Sequence, residues 1–285
     1  MSQIAFLGTG LLGSGMVESM RRRGLAVRVW NRTLAKARAL EACGATVADS
    51  PEQAVAGADE IHIIVSDDAA VDALVDRIAP HVGASAIVID HTTTSPAGTK
   101  ARLERAAARG LRFLHAPVFM GPAMARESKG VMMVSGPQAL FEAVQPALAG
   151  MCADLWYVGD REDLAAALKI FGNSMLFVMT AGIADIFAMA RNLGIAPLDA
   201  ISVFNRFNAG AAITGRAQKI ATGDFSASFE LDMARKDMRL MLEAAGAEPL
   251  VALPSVARRM DEAIASGHGK DDMGAIAAGS LPGKQ

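Results

Sequence analysis

The chain has 285 residues, 52% of them hydrophobic, and a formal net charge of −2. A body of this size buries roughly 75% of its unfolded surface, so core size is no obstacle, and the length suggests about two domains. The balanced charge excludes a whole-chain attraction to nucleic acid or an anionic membrane surface.

In chain order, Ile4–Leu7 reads as a strand and Leu11–Arg23 as a helix that ends at Gly24. The run Arg21-Arg22-Arg23 fits a solvated last helical turn, where cations suit the dipole. Ala26–Trp30 is a second strand and Leu34–Ala42 a helix. Ser50-Pro51-Glu52-Gln53 has the form of a capping box with proline at the first helical position. Ile61–Val65 and Ala86–Ile89 are near-continuous apolar strands, as in a parallel sheet covered on both faces. Helices over Ala69–Ala79 and Ala97–Arg109 separate them from each other and from a strand at Arg112–His115. Asp67 and Asp68 suit the cap of the first of these helices, and Ser95-Pro96 the start of the second. Val131–Ser135 and Leu155–Val158 are further strands around a helix at Gln138–Ala149. The alternation predicts an α/β fold with a doubly wound, Rossmann-like parallel sheet.

Beyond about residue 160 strand signals stop. Leu164–Asn192 reads as one long helix, followed by helices over 197–208, 229–245, 254–266 and 271–278. The expected domains are 1–160, binding a dinucleotide, and 161–285, all-helical. Residues 164–190 raise the question of a membrane span. Lys169, Asn173 and Asp185 interrupt them, leaving no clean stretch that reaches across about 30 Å of hydrocarbon, so a buried helix is expected. The N-terminus lacks a charged region followed by a long apolar stretch, so no signal peptide is expected. A soluble, cytoplasmic protein follows, without membrane or nucleic-acid partners. Two distant cysteines, Cys43 and Cys152, and five scattered histidines match no ligand spacing, and no metal is expected.

Gly8-Thr9-Gly10-Leu11-Leu12-Gly13 fits G-x-G-x-x-G, and its place between a strand and a helix makes it a dinucleotide fingerprint. The first glycine allows the tight turn, the second lets backbone approach a pyrophosphate, and the third permits close helix–strand packing. The amides of Gly10, Leu11 and Leu12 then face the phosphates at the helix N-terminus. After the second strand, where an NAD enzyme places a carboxylate for the ribose hydroxyls, the chain has Asn31-Arg32-Thr33, with Lys36 one turn on. Nothing there repels a 2′-phosphate and Arg32 offers a planar fork, which favours NADP over NAD.

Four further stretches resemble the β-hydroxyacid dehydrogenases, the family of 3-hydroxyisobutyrate dehydrogenase and tartronate semialdehyde reductase within the 6-phosphogluconate dehydrogenase superfamily. They are IDHTTTSP (89–96), APVFMGPAMARESKGVMMVSG (116–136), LKIFGNSM (168–175) and RKDMRLMLEAA (235–245). With the glycine loop they run nearly the whole chain in the family's order. The resemblance implies hydride transfer between NADP(H) and a small β-hydroxy acid or semialdehyde, with Lys169 as catalytic residue. It implies Thr92, Gly121 and Asn173 at the substrate, and Val65, Ser66, Thr93 and Lys236 at the cofactor. It also implies a homodimer formed through the long helix.

Lys169 and Asn173 are four apart and share one helix face. Hydride addition to a carbonyl leaves negative charge on oxygen, which an ammonium neutralises by donating a proton. Burial among apolar neighbours lowers a lysine's pKa toward the working range.

Phe119-Met120 replace the family's Ser-Gly, removing a hydroxyl and adding bulk, and leave the substrate's identity open. Two alternatives stand beside the dehydrogenase. One is an imine reductase-like activity, although imine reductases usually carry Asp or Tyr at the place of Lys169. The other is a non-catalytic NADP-binding module used in protein interactions.

Overall fold

The computed structural model describes residues 3–281. Its first unit alternates β1 (Ile4–Leu7), α1 (Leu11–Arg22), β2 (Val27–Trp30), α2 (Leu34–Arg38), β3 (Thr46–Val47), α3 (Pro51–Val55), β4 (Glu60–Ile63), α4 (Asp68–Ile78), β5 (Ile87–Asp90), α5 (Pro96–Ala108) and β6 (Arg112–His115). These strands pair in parallel in the order β3-β2-β1-β4-β5-β6. The chain then adds β7 (Val118–Phe119), α6 (Pro122–Arg126), β8 (Val131–Ser135), α7 (Gln138–Ala149) and β9 (Asp154–Gly159). Here the sheet stops being purely parallel: β8 runs antiparallel to β6 and to β7, while β9 is parallel to β8. The doubly wound, Rossmann-like architecture expected from the pattern is present. The two-residue strands β3 and β7 and the short α6 are too brief to leave a periodic signal.

Successive strand residues point to opposite faces of the sheet, so each strand feeds two cores. Phe6, Val29, Ile89, Leu114 and Met132 pack with Met16, Val17 and Met20 of α1 on one side. Leu7, Ile61, Ile63, Val88 and Phe113 pack with Val71, Leu74 and Ile78 of α4 on the other. Helix starts follow the local chemistry. Ser50, Asp67 and Ser95 each accept a backbone N–H at the start of α3, α4 and α5. Arg21 is not wholly solvated: its guanidinium donates to the carbonyls of Leu25 and Cys43.

One polar cluster lies inside this unit. Arg102 is 1% exposed, donates to Asp68 at 2.9 Å and Asp72 at 2.7 Å, and sits 3.7 Å from the fully buried Asp90. Desolvation works against this guanidinium, and three carboxylates outweigh it, holding its pKa above the ordinary value. Asp90 in turn accepts the backbone N–H of Thr92 at 2.9 Å. The cluster therefore fixes the segment that follows β5.

The chain continues into α8 (Leu164–Asn192), α9 (Pro197–Ile201), α10 (Ala209–Ala221), α11 (Leu231–Ala245) and α12 (Leu253–Ala263). It divides into two compact units between Asn173 and Ser174, inside α8. In the second unit Leu231, Ala234, Met238, Ala257, Met260 and Ala263 form a small core between α11 and α12. Asp185 of α8 is buried and accepts the backbone N–H groups of Val251, Ala252 and Leu253, where α12 begins. The helix α10 was not expected. Gly210 and Gly215 weaken its pattern, and Asn208, which caps it by accepting from Ala211, was the available signal.

A second correction concerns α8. It is long and apolar enough to cross a membrane by length and composition, but only 6% of its most apolar stretch is buried by this chain. It is not the buried helix expected, because the rest of the chain leaves Phe171, Leu176, Phe177, Val178 and Ile183 exposed.

Candidate active site

At the carboxyl ends of β1, β2, β4 and β5 a cavity of about 680 Å³ opens. It lies at the point where the strand order reverses about β1, the place where open α/β sheets bind ligands. Its floor is the loop from β1 into α1. Gly8 has φ +104°, and a Cβ there would stand 1.9 Å from the carbonyl oxygen of Ile64. A Cβ at Gly13 would stand 2.1 Å from the carbonyl oxygen of Gly8. Gly10 is different. Nothing lies within 4 Å of where its Cβ would be, and α1 begins there with no side-chain cap and no acidic residue in its first turn. Open backbone at an uncapped, positively polarised helix start fits a pyrophosphate.

Asn31 follows β2 and staples the loop: Oδ1 accepts the Thr9 backbone N–H at 3.0 Å, and Nδ2 donates to the Thr33 carbonyl at 3.0 Å. Its amide is therefore committed to shaping the cavity that it lines. Arg32, Thr33 and Lys36 line the same end. Two further residues there carried no signal in the sequence. The guanidinium of Arg77 lies 5.8 Å from the centroid of Trp30, and Glu52 holds it by two hydrogen bonds of 2.9 and 3.1 Å. Residues 30, 52 and 77 sit on three different elements, and only the fold brings them together.

Val65 and Ser66 line the wall after β4, and Thr93 the wall after β5. Thr92 is buried instead. Its hydroxyl accepts the Val65 backbone N–H at 3.1 Å, and it is not among the residues lining the cavity. His91 does line it, a role its sequence position next to Thr92 and Thr93 did not reveal. Burial, helped by neighbouring His62, pushes His91 down to about 3, so the ring is neutral. Its Nδ1 donates to the Ala116 carbonyl at 2.8 Å, which leaves Nε2 to accept from His62 Nδ1 at 3.0 Å.

Lys169, in the second turn of α8, reaches the same cavity. It is 8% exposed, and its Nζ donates to Asn173 Oδ1 at 3.0 Å. Burial lowers its pKa from the ordinary lysine value. Val118 and Met120 complete this end of the cavity, and Gly121 stands at the start of α6 beside them. Arg32, Lys36, Arg77 and Lys169 contribute cations to the lining, and among the described residues no Asp or Glu does. Lys236 belongs to the second unit, where it lies on α11, exposed and 2.8 Å from Asp237.

A glycine loop at a sheet switch point, with a buried lysine lining the same cavity, is the arrangement of a dinucleotide-dependent oxidoreductase. The comparisons with known proteins carry this further. Residues 3–159 match the NAD-binding domain of 6-phosphogluconate dehydrogenase, and residues 164–279 match the NAD-binding family of NADP-dependent 3-hydroxyisobutyrate dehydrogenase. The chain is 27% identical over 282 residues to 2-(hydroxymethyl)glutarate dehydrogenase of Eubacterium barkeri, covering 96% of this chain and 93% of that protein. It is 28% identical over 260 residues to 3-hydroxyisobutyrate dehydrogenase of Pseudomonas aeruginosa, covering 87% and 86% respectively. Its fold is similar to that of an imine reductase from Myxococcus stipitatus in complex with NADP+, with TM-score 0.89, 22% identity and coverage of 97% and 99%. The chain belongs to the β-hydroxyacid dehydrogenase family and is an NAD(P)-dependent oxidoreductase.

Proposed function

We propose that the chain moves a hydride between NADP(H) and a small β-hydroxy acid or semialdehyde, with Lys169 as the general acid and base. The observation that carries this reading is a single one: the buried Lys169 lines the cavity formed by the glycine loop. The bound nicotinamide supplies the hydride chemistry, and the protein supplies position and field. In reduction Lys169 Nζ donates its proton to the substrate oxygen as charge builds there; in oxidation the neutral amine takes that proton. Asn173 holds Nζ in place through its carbonyl oxygen. Such proton transfer contributes about 10²–10⁴-fold to the rate. Because burial lowers the lysine's pKa, both forms come nearer to neutral pH. The sign follows: reduction needs the ammonium and fades as pH rises through that pKa, whereas oxidation gains.

Preference for NADP(H) is supported by Arg32 and Lys36 at the end of β2, and by the absence of any carboxylate among the described residues lining the cavity. Gly10, Leu11 and Leu12 would hold the pyrophosphate, with Val65, Ser66 and Thr93 further along. Thr92 acts through the Val65 amide it holds, while Gly121 and Asn173 face the substrate side. The uncovered apolar face of α8 supports a homodimer formed through that helix, in a cytoplasmic protein. The test uses purified protein, NADPH and a panel of semialdehydes, with NADPH absorbance as the readout. Wild type turns over at least one of them, and Lys169→Ala loses about 10²–10⁴-fold at unchanged NADPH affinity. Equal rates in the two proteins would remove the catalytic role of Lys169.

Imine reduction is a second reading, favoured by one observation. The cavity beside Lys169 is walled by Val118 and Met120, with the Phe119 ring against the lysine, an apolar setting suited to a hydrophobic imine. Turnover of cyclic imines far above that of any aldehyde would select it.

A further inference from the structure

Phe119 ends β7, paired with Val131 of β8. The Lys169 ammonium lies over its ring, 4.0 Å from the centroid. The tip of the ring meets α8 at Gly172, where a Cβ would stand 2.3 Å from the ring's Cζ. Lys169 and Gly172 are three apart on the helix and so share a face. Only glycine at 172 leaves room for the ring, and the ring so placed lies under the lysine. A lysine ammonium has three N–H groups and no acceptor. Asn173 Oδ1 takes one at 3.0 Å, and the ring face occupies a second direction.

We propose that Phe119 is a positioning residue for the reaction: its ring face seats the Lys169 ammonium, favours the charged form, and leaves one N–H for the substrate oxygen. The idea rests on the role given to Lys169 above. The physical reason is that an aromatic face carries partial negative charge and attracts a desolvated cation. The other titratable groups lining this cavity are Arg32, Lys36, Arg77 and His91, none of them an anion. The ring is therefore the electron-rich partner that offsets part of the cost of burying this charge. It does so without a carboxylate that would compete with the substrate for the proton.

The test replaces Phe119 with 3,5-difluorophenylalanine, which keeps the shape and drains the ring face, and in separate proteins makes Phe119→Leu and Gly172→Ala. Ionisation of Lys169 is read by competitive acetylation across pH with peptide mass spectrometry, which needs no substrate. The midpoint moves down by about half a pH unit with the fluorinated ring, and by up to about one with leucine. Gly172→Ala, which forces the ring aside, moves it in the same direction. A ring that merely excluded water would give the opposite sign in the leucine and Gly172→Ala proteins, because wetting a buried ammonium raises its pKa, and no change with the fluorinated ring, which keeps its shape. A rise or no change in the fluorinated protein therefore overturns the proposal, and that variant decides the matter even if the leucine protein folds poorly. Full activity in Lys169→Ala would instead sink the catalytic reading, leaving the labelling result to judge the seat alone.

Discussion

In the first unit, one sheet is covered on both faces: β1 alone gives Phe6 to one core and Leu7 to the other, and both side chains are fully buried. In the second unit six side chains from α11 and α12 make a single small core, three of them alanines. There Leu176, Phe177, Val178 and Ile183 of α8 remain exposed, Phe177 by 72%. Large exposed apolar patches are characteristic of surfaces that bind another molecule. The first unit thus holds a core on each face of its sheet and a formed cavity, whereas in the second unit these α8 side chains are left uncovered by the described residues. The contrast separates two jobs. Binding geometry is built into the unit that is finished locally, and the proposed assembly draws on the unit that is not.

The largest effect follows from breaking the second half of that contrast. Phe177→Glu places a charge in the face that the proposed dimer buries, and an unpaired buried charge costs about 3–5 kcal/mol. The dimer expected of the wild type at micromolar concentration should become a monomer by sedimentation velocity. NADPH binding, carried by the first unit, should hold within a few-fold by fluorescence titration. A variant that still sediments as a dimer would show that α8 is covered by something other than a second copy.

The first half of the contrast is sharpened at Arg32. If the end of β2 reads the 2′-phosphate, Arg32→Ala removes a charge-assisted hydrogen bond worth about 1.5–3 kcal/mol. NADPH affinity should fall by roughly 10- to 100-fold, since each 1.4 kcal/mol is tenfold. NADH affinity, which involves no such phosphate, should change less than twofold. Equal losses for both cofactors would mean that Arg32 touches a group they share. Lys36→Ala should follow the same pattern more weakly, because a lysine offers a point charge rather than a fork.

The same division governs how much could be read from residues alone. Strands β1, β2, β4, β5 and β6 were legible because each is an apolar run between helical segments, and the glycine loop because its spacing encodes turn, approach and packing. Lys169 stood out as a charge in an apolar helix. What escaped was whatever depends on pairs distant in sequence. The stack of Arg77 on Trp30 and its tether to Glu52, the turn of Thr92 away from the cavity, and the seating of Phe119 against Gly172 all arise from tertiary contact. Asn31 was placed at the right end of β2, but its amide is spent on Thr9 and Thr33 rather than left open. The exposure of α8 escaped for a related reason: composition reports that a helix is apolar, and not what covers it.

The smallest effect concerns the one buried carboxylate that ties α8 to the start of α12. Burial raises the pKa of Asp185, and the backbone N–H groups of Val251, Leu253 and Ala252 outweigh it, holding the carboxyl below the ordinary aspartate range. A folded pKa below the unfolded value of about 3.9 adds stability that is fully present above that value and is lost as pH falls through the folded one. Asp185→Ala removes the acceptor for three backbone groups and should destabilise the second unit by about 1–2 kcal/mol at neutral pH, read by chemical denaturation. Below pH 4 the gap between wild type and variant should narrow, because protonation has already weakened the wild-type carboxylate. A gap that stayed constant down to pH 2 would mean that Asp185 contributes by packing rather than by charge.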